Sequence, residues 1–215
     1  MRKRIMKRRP LAALGVTGLL IVVALLAFAG FASSATGSQT NHNMRWDIIH
    51  LNFATLTLSP GGHASAFATS SGGSASAGKI TVTGGGTFRS NAGNPQDVTG
   101  GGMWQTFDGA GSPTGSGTYQ VTGLVDFDLA SGSLPPAITD DTGVKADVRA
   151  GLVALTIAYS DGSDGILVVS CSLPVGSPPT LFEGITASKG YVDYWERDPA
   201  VAGVDANRTN FHTLQ

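Results

Sequence analysis

The densest group of chemically versatile side chains lies near the C-terminus. Glu183, Lys189, Tyr191, Asp193, Tyr194, Trp195, Glu196 and Arg197 are followed by Asp205, Asn207, Arg208 and His212. Large aromatics beside charges of both signs can form a stacking and hydrogen-bonding platform for a sugar or another flat ligand. Tyr191, Tyr194, Trp195, Glu183 and Arg208 are therefore the candidate ligand-binding residues. The same residues could instead clamp the tail over one end of a barrel, with Trp195 as a plug and Arg197 or Arg208 paired with acids.

Other constellations are weaker. Asp126 and Asp128, two apart on a strand, point their carboxylates the same way, which is the hardware of glycoside chemistry. A strand with one solvated face shows the same pattern without any catalysis. Asp161-Gly-Ser-Asp164-Gly lacks the regular acidic ladder of a calcium loop and reads as turn chemistry. His42, His50, His63 and His212 are scattered and read as surface or hydrogen-bonded side chains rather than metal ligands. Gly-Ser-Gly at 115–117 lies between β-like runs, not at a strand-to-helix elbow. Asn207-Arg208-Thr209 matches the glycosylation acceptor pattern. No nucleotide, metal or nucleophile motif stands out, so no catalytic residue, metal or cofactor is assigned, and an enzyme is the secondary reading.

The elements that would position these residues are strands. Gly151–Tyr159 and Ile166–Leu173 flank the turn Ser160–Gly165, the strongest hairpin signal in the chain. Val153, Leu155, Ile157 and Tyr159 share one face, and Leu152, Ala154, Thr156 and Ala158 the other. Both faces are fairly apolar, which predicts a central pair covered on both sides. Cys171, the one cysteine, falls in phase with Val169 and Leu173 and reads as a buried, inert thiol. Thr118–Leu129 predicts a half-buried strand, with Tyr119, Val121, Val125, Phe127 and Leu129 on one side.

Elsewhere, Trp46–Leu58 reads as one strand, His63–Ser70 as a weaker one, and Asn91–Gly102 as a long turn before a short strand Met103–Asp108. Lys79–Thr83 and Thr87–Arg89 read as one strand interrupted by Gly84-Gly85-Gly86, where a bulge, corner or close backbone approach is expected. Of 30 glycines, 27 lie beyond residue 35 and fall between strand-like runs without a triplet period. Leu181–Trp195 predicts a last strand, and Asp198–Gln215 reads as a polar, irregular tail. The expected fold is all-β: a single antiparallel β-barrel, or a β-sandwich, of about eight short strands over residues 46–215.

Ahead of it, Met1–Pro10 carries six basic residues and Leu11–Phe31 is an uncharged apolar run ending in small residues. Residues 1–35 therefore read as a signal peptide of bacterial character or an uncleaved membrane anchor, with 36–45 as a polar spacer. Arg8-Arg9 leaves a twin-arginine route open.

Removing residues 1–35 takes away six of the 14 basic residues and none of the 15 acidic ones, leaving a net charge of about −7. An acidic domain argues against nucleic acid as a partner and confines membrane contact to the N-terminal segment. The reading is an exported, non-enzymatic structural or binding module. Its ligand would be a glycan or a small apolar molecule at a barrel mouth or cavity. The alternative is a β-barrel enzyme, either a glycan-active hydrolase or a small-molecule isomerase or cyclase, working through interior carboxylates. N-terminal sequencing of protein from the culture medium should find Thr36 as the first residue, or Gly30 if cleavage follows Ala27-Phe-Ala29, whereas an intact Met1 in the membrane fraction would establish the anchor.

Overall fold

The computed structural model describes residues 43–69, 76–90 and 97–215; the leader, most of the spacer and His42 lie outside the described residues. The fold is all-β, with no α-helix among the described residues and a short 3-10 turn at Lys145–Asp147. Fourteen strands follow in chain order. They are β1 (Asn43–Asn52), β2 (Thr57–Pro60), β3 (Ala64–Thr69), β4 (Ser76–Val82), β5 (Gly85–Arg89), β6 (Val98–Asp108) and β7 (Pro113–Ala130). Then come β8 (Thr139–Asp140), β9 (Val148–Tyr159), β10 (Asp164–Cys171), β11 (Gly184–Lys189), β12 (Val192–Tyr194), β13 (Glu196–Arg197) and β14 (Arg208–Leu214).

Pairing closes a ring: β9 bonds to β14, β14 to β1, β1 to β5, β5 to β6, β6 to β7, and β7 back to β9. Every pair in this circuit is antiparallel, and the result is a closed barrel core. The wall branches on two strands. One edge of β9 is shared, with Val148 and Arg149 facing β14 and Gly151–Ala158 facing β10. β6 is shared likewise, with 98–101 facing β5 and 104–108 facing β4. From these forks β10, β11 and β12 extend on one side and β4, β3 and β13 on the other. The one parallel pair among the named strands, β2 with β8, forms a flap over a second apolar cluster of Ile49, Leu51, Leu58, Leu134 and Val148.

The barrel interior is occupied by side chains. Trp46, Phe88, Trp104, Tyr119, Phe127, Tyr159, Tyr194 and Phe211 are all buried among aliphatic residues. Phe88 meets Phe127 edge-on at 4.8 Å, and Trp104 meets Tyr159 at 5.7 Å, the offset geometry that aromatic quadrupoles favour. Each fully buried large apolar side chain contributes about 1.5–3 kcal/mol.

The β9–β10 hairpin forms in the expected phase, with Val153, Leu155, Ile157 and Tyr159 inside. Its other face is not covered: Leu152, Ala154, Thr156 and Ala158 are half-exposed, because β9 stands in a barrel wall with one side toward solvent. Lys189 closes this end, lying 4.3 Å above the Trp104 ring and pairing with Asp161 in the turn.

Along β7 the inward positions are not the ones simple alternation predicts. Tyr119, Val121, Leu124 and Phe127 pair with Tyr159, Ile157, Leu155 and Val153, all inward residues of β9. Thr122 and Val125 have no opposite residue, so each is a bulge that shifts the phase by one. Val125 is consequently 57% exposed, whereas Leu129 stays on the inward side opposite Gly151 and is exposed near the end of the strand.

Three other expectations change. The stretch 46–58 is a hairpin rather than one strand, because the Asn52 side chain accepts the Ala54 and Thr55 N–H groups and reverses the chain. β1 begins at Asn43, inside the stretch read as spacer, with Met44 fully buried. β6 begins at Val98, inside the stretch read as a turn, and its glycines lie against those of β5.

These glycines let two strands approach closely. A Cβ on Gly86 would sit 2.1 Å from the Thr99 carbonyl oxygen. Gly84, at φ +127°, breaks β4 from β5 and lies beneath the Tyr119 hydroxyl, which donates to the Thr83 carbonyl at 2.7 Å. Gly86→Ala should cost more than about 3 kcal/mol or abolish folding, since backbone must move. Gly111→Ala, in open space at φ +87°, should cost only about 1–2 kcal/mol. Urea unfolding of both variants checks the contrast, and equal costs would refute the close-approach account.

Candidate functional site

The polar C-terminal stretch is not an irregular tail. Arg208–Leu214 forms β14, and Thr209, Asn210, Phe211 and His212 are buried in it. The hydrophobic pattern conceals this strand because its polar residues are satisfied by partners distant in sequence. Asn207 precedes it at φ +57°, a conformation asparagine tolerates, and its Oδ1 accepts the Ser65 N–H at 2.7 Å. At 5% exposure Asn207 is inaccessible to a glycosylating enzyme, which removes the acceptor reading.

β14 and β10 leave the same edge of β9, and one carboxylate spans the gap between them. Glu183 sits just before Gly184, the first residue of β11. Its Oε2 accepts the Ser172 N–H at 2.6 Å and the Ser172 hydroxyl at 3.3 Å. Its Oε1 accepts the Thr209 N–H at 2.7 Å, with the Thr209 Oγ1 3.3 Å away. Thr209 also donates to the Ser170 carbonyl at 2.6 Å, so β14 is tied to β10 by side chains where the ladder stops.

Burial pushes the Glu183 carboxyl up to about 7, although the Thr209 and Ser172 backbone N–H groups and the Arg208 charge pull it down. The adjacent Cys171 thiol is raised too, first by burial and then by Glu183, consistent with an inert sulfur.

Glu183 is half-buried at the wall of a cleft of about 500 Å³, shared with Ser172, Phe182, Glu196, Arg197, Pro199, Ala200 and Arg208. Arg208 donates to the Val201 carbonyl at 3.0 Å and lies 5.6 Å from the Phe53 ring centroid. Arg197 stacks on Phe182 at 4.9 Å. Two guanidiniums, two carboxyls, a hydroxyl and an apolar wall thus converge in one cleft.

Of the five residues proposed from sequence, Glu183 and Arg208 meet here and the other three stand apart. Tyr194 points inward and belongs to the core. Tyr191 is fully exposed at the turn between β11 and β12. Trp195 is 48% exposed, so it does not plug the barrel, and it does not line the cleft. Ser172, Phe182, Pro199 and Ala200 were missed. Only the isolated acid of Phe182-Glu183-Gly184, set between a Pro-rich loop and an apolar run, hinted at them.

A second polar cluster lies at β1, β14 and the 139–148 segment. His212 Nε2 meets Asp140 Oδ2 at 2.8 Å, and Arg45 Nη2 lies 3.3 Å from His212 Nδ1. Arg45 also binds Asp47 at 2.7 Å and the Thr142 carbonyl. Because a guanidinium only donates, Nδ1 accepts and the ring proton sits on Nε2, toward Asp140. Both nitrogens are occupied, so His212 holds strands together instead of serving as a base. Asp47 is raised mainly by burial. Asp126 and Asp128 are exposed on the outer wall and line none of the clefts described here, and Asp126 Oδ1 accepts the Phe127 N–H at 2.8 Å. Asp161 accepts from Ser163 within its turn, as turn chemistry requires. Among the described residues no three His, Cys, Asp or Glu side chains are placed to share a metal ion.

Comparison of the chain with protein-family models, curated proteins and solved structures finds no match.

Glu183 makes stability depend on pH. The folded protein holds this proton more tightly than the unfolded chain, whose glutamate has the ordinary value of 4.5. Stability should therefore fall as pH rises from about 4.5 to about 7, by on the order of 3 kcal/mol, and level off above. In urea midpoints Glu183→Gln should flatten that window relative to the parent; parallel curves would show that Glu183 titrates elsewhere.

Proposed function

We propose that this chain is an exported, non-enzymatic binding domain that holds a glycan in the cleft beside Glu183 and Arg208. Export is supported by the basic, apolar N-terminal sequence, which lies outside the described residues. The cleft is supported as the site by one observation above the others: stacking surface and hydrogen-bonding groups of both signs converge there, at Phe182, Ser172, Glu183, Arg197 and Arg208. The barrel interior is filled by aromatic side chains, so a small apolar ligand has less claim on it.

The enzymatic alternative also has a specific observation behind it. Glu183 and Glu196 line one cleft, and burial raises the Glu183 carboxyl to about 7, the range of a general acid. Against it, both Glu183 oxygens already accept backbone N–H groups, which fix the carboxyl as a strut.

A panel of neutral and acidic oligosaccharides, read for both binding and released reducing ends, separates the two. Binding without release is expected. Phe182→Ala should weaken binding about tenfold, while Trp195→Ala leaves it unchanged. Release of reducing ends that Glu196→Gln abolishes would establish the hydrolase. Loss of binding in Trp195→Ala alone would move the site away from the cleft.

A further inference from the structure

We infer that the cleft is an anion site, seating the carboxylate of an acidic sugar between Arg197 and Arg208. The inference rests on the glycan-binding reading above and gives that ligand its charge. Among the described residues neither guanidinium has a carboxylate within 4 Å; the ion pairs are made by Arg45, His50, Arg89, Lys189 and His212. Two arginines left without carboxylate partners in one concave site are an unspent pair of planar, multidentate donors, and carboxylate is the group that geometry fits.

The donors are held in place from the sides. Arg197 uses its flat face to stack on Phe182, which leaves the in-plane N–H groups at its edge for an acceptor. Arg208 spends one terminal nitrogen on the Val201 carbonyl, and its Nε–H is enclosed without an acceptor. That Nε is closed off from the cleft, so an entering oxyanion meets the other N–H groups of the guanidinium.

The acids of the cleft set when an anion is welcome. Glu183 faces Arg208 and Thr209 on β14, Ser172 and the Cys171 thiol at the end of β10, and Glu196 and Arg197 on β13 across the cleft. The thiol is neutral, so the balance is two guanidiniums against Glu196 and Glu183. When Glu183 carries its proton, two cations face a single carboxylate. An entering carboxylate favours that protonated form, so proton uptake and anion binding reinforce each other.

The test is calorimetric titration of the exported chain with hexagalacturonate and with its fully methyl-esterified counterpart, which keeps the shape and removes the charge. At pH 5.5 the acid is expected to bind at least about tenfold more tightly than the ester. Arg197→Ala should lose about tenfold toward the acid and nothing toward the ester. Arg208→Gln should do the same, and if it fails to fold, the exposed Arg197 decides. Affinity for hexagalacturonate should fall about tenfold between pH 5.5 and pH 9, and Glu183→Gln should remove that dependence. Equal binding of acid and ester, or unchanged binding in Arg197→Ala, overturns the inference and leaves the cleft as a neutral-sugar site. No binding of either compound, with a neutral oligosaccharide of the panel still bound, also overturns it. A silent panel overturns the glycan reading with it.

Discussion

The barrel depends on a fork. β9 cannot bond along its whole edge to one neighbour, because β14 takes its first residues and β10 the rest. Where the two diverge, backbone N–H groups would face each other with no acceptor between them, and a buried orphan donor costs about 1–3 kcal/mol. Glu183 fills the gap with two oxygens, each accepting a backbone N–H. One side chain thus does the work of a missing stretch of ladder. The same demand brings a carboxyl to the wall of a cleft, so the candidate site is a by-product of closing the wall.

The opposite fork, on β6, is managed by absence. Gly100 and Gly101 of β6 lie against Gly86 and Gly85 of β5, and the missing side chains let the wall bend tightly toward the Trp46 indole. Large aromatics inside and glycines in the wall are complementary: the rings fill the volume that the bend encloses. Closure of this kind needs no cross-link, and the one thiol, Cys171, is buried within it. The ring strands pair with one another, and the free edges fall on the short outer strands β12 and β13 of the two branches.

Two polar clusters sit beside clefts, and their hydrogen bonding separates them. At His212 both ring nitrogens are met by Asp140 and Arg45, and Arg45 has Asp47 as its carboxylate partner. At Glu183 the acid is met, while neither Arg197 nor Arg208 has a carboxylate within 4 Å. Arginines without a carboxylate, rather than the mere presence of charged residues, are what recommend the second as the proposed ligand site. Asp126 and Asp128, which look equally chemical in sequence, are exposed on the outer wall and do not line the cleft beside Glu183.

Much of this was legible from residue order. Alternation of Val153, Leu155, Ile157 and Tyr159 around an Asp-Gly turn determined a hairpin and its inward face, since a side chain's sidedness in a strand follows from covalent geometry alone. The glycine triplets announced close approaches for the same local reason. The β7 phase was not legible: whether Thr122 and Val125 bulge depends on the partner strand's register, which no local pattern contains. β14 was hidden because Arg-Thr-Asn-Phe-His-Thr is buried by hydrogen bonds rather than by apolarity, and its partners lie tens of residues away. Glu183 and Arg208 could be singled out as chemically able residues, but only the folded chain decided that they share a cleft while Tyr191, Tyr194 and Trp195 do not. Sequence determines what each residue can do locally; which residues act together is set by the closure of the sheet, a long-range property that few local rules constrain.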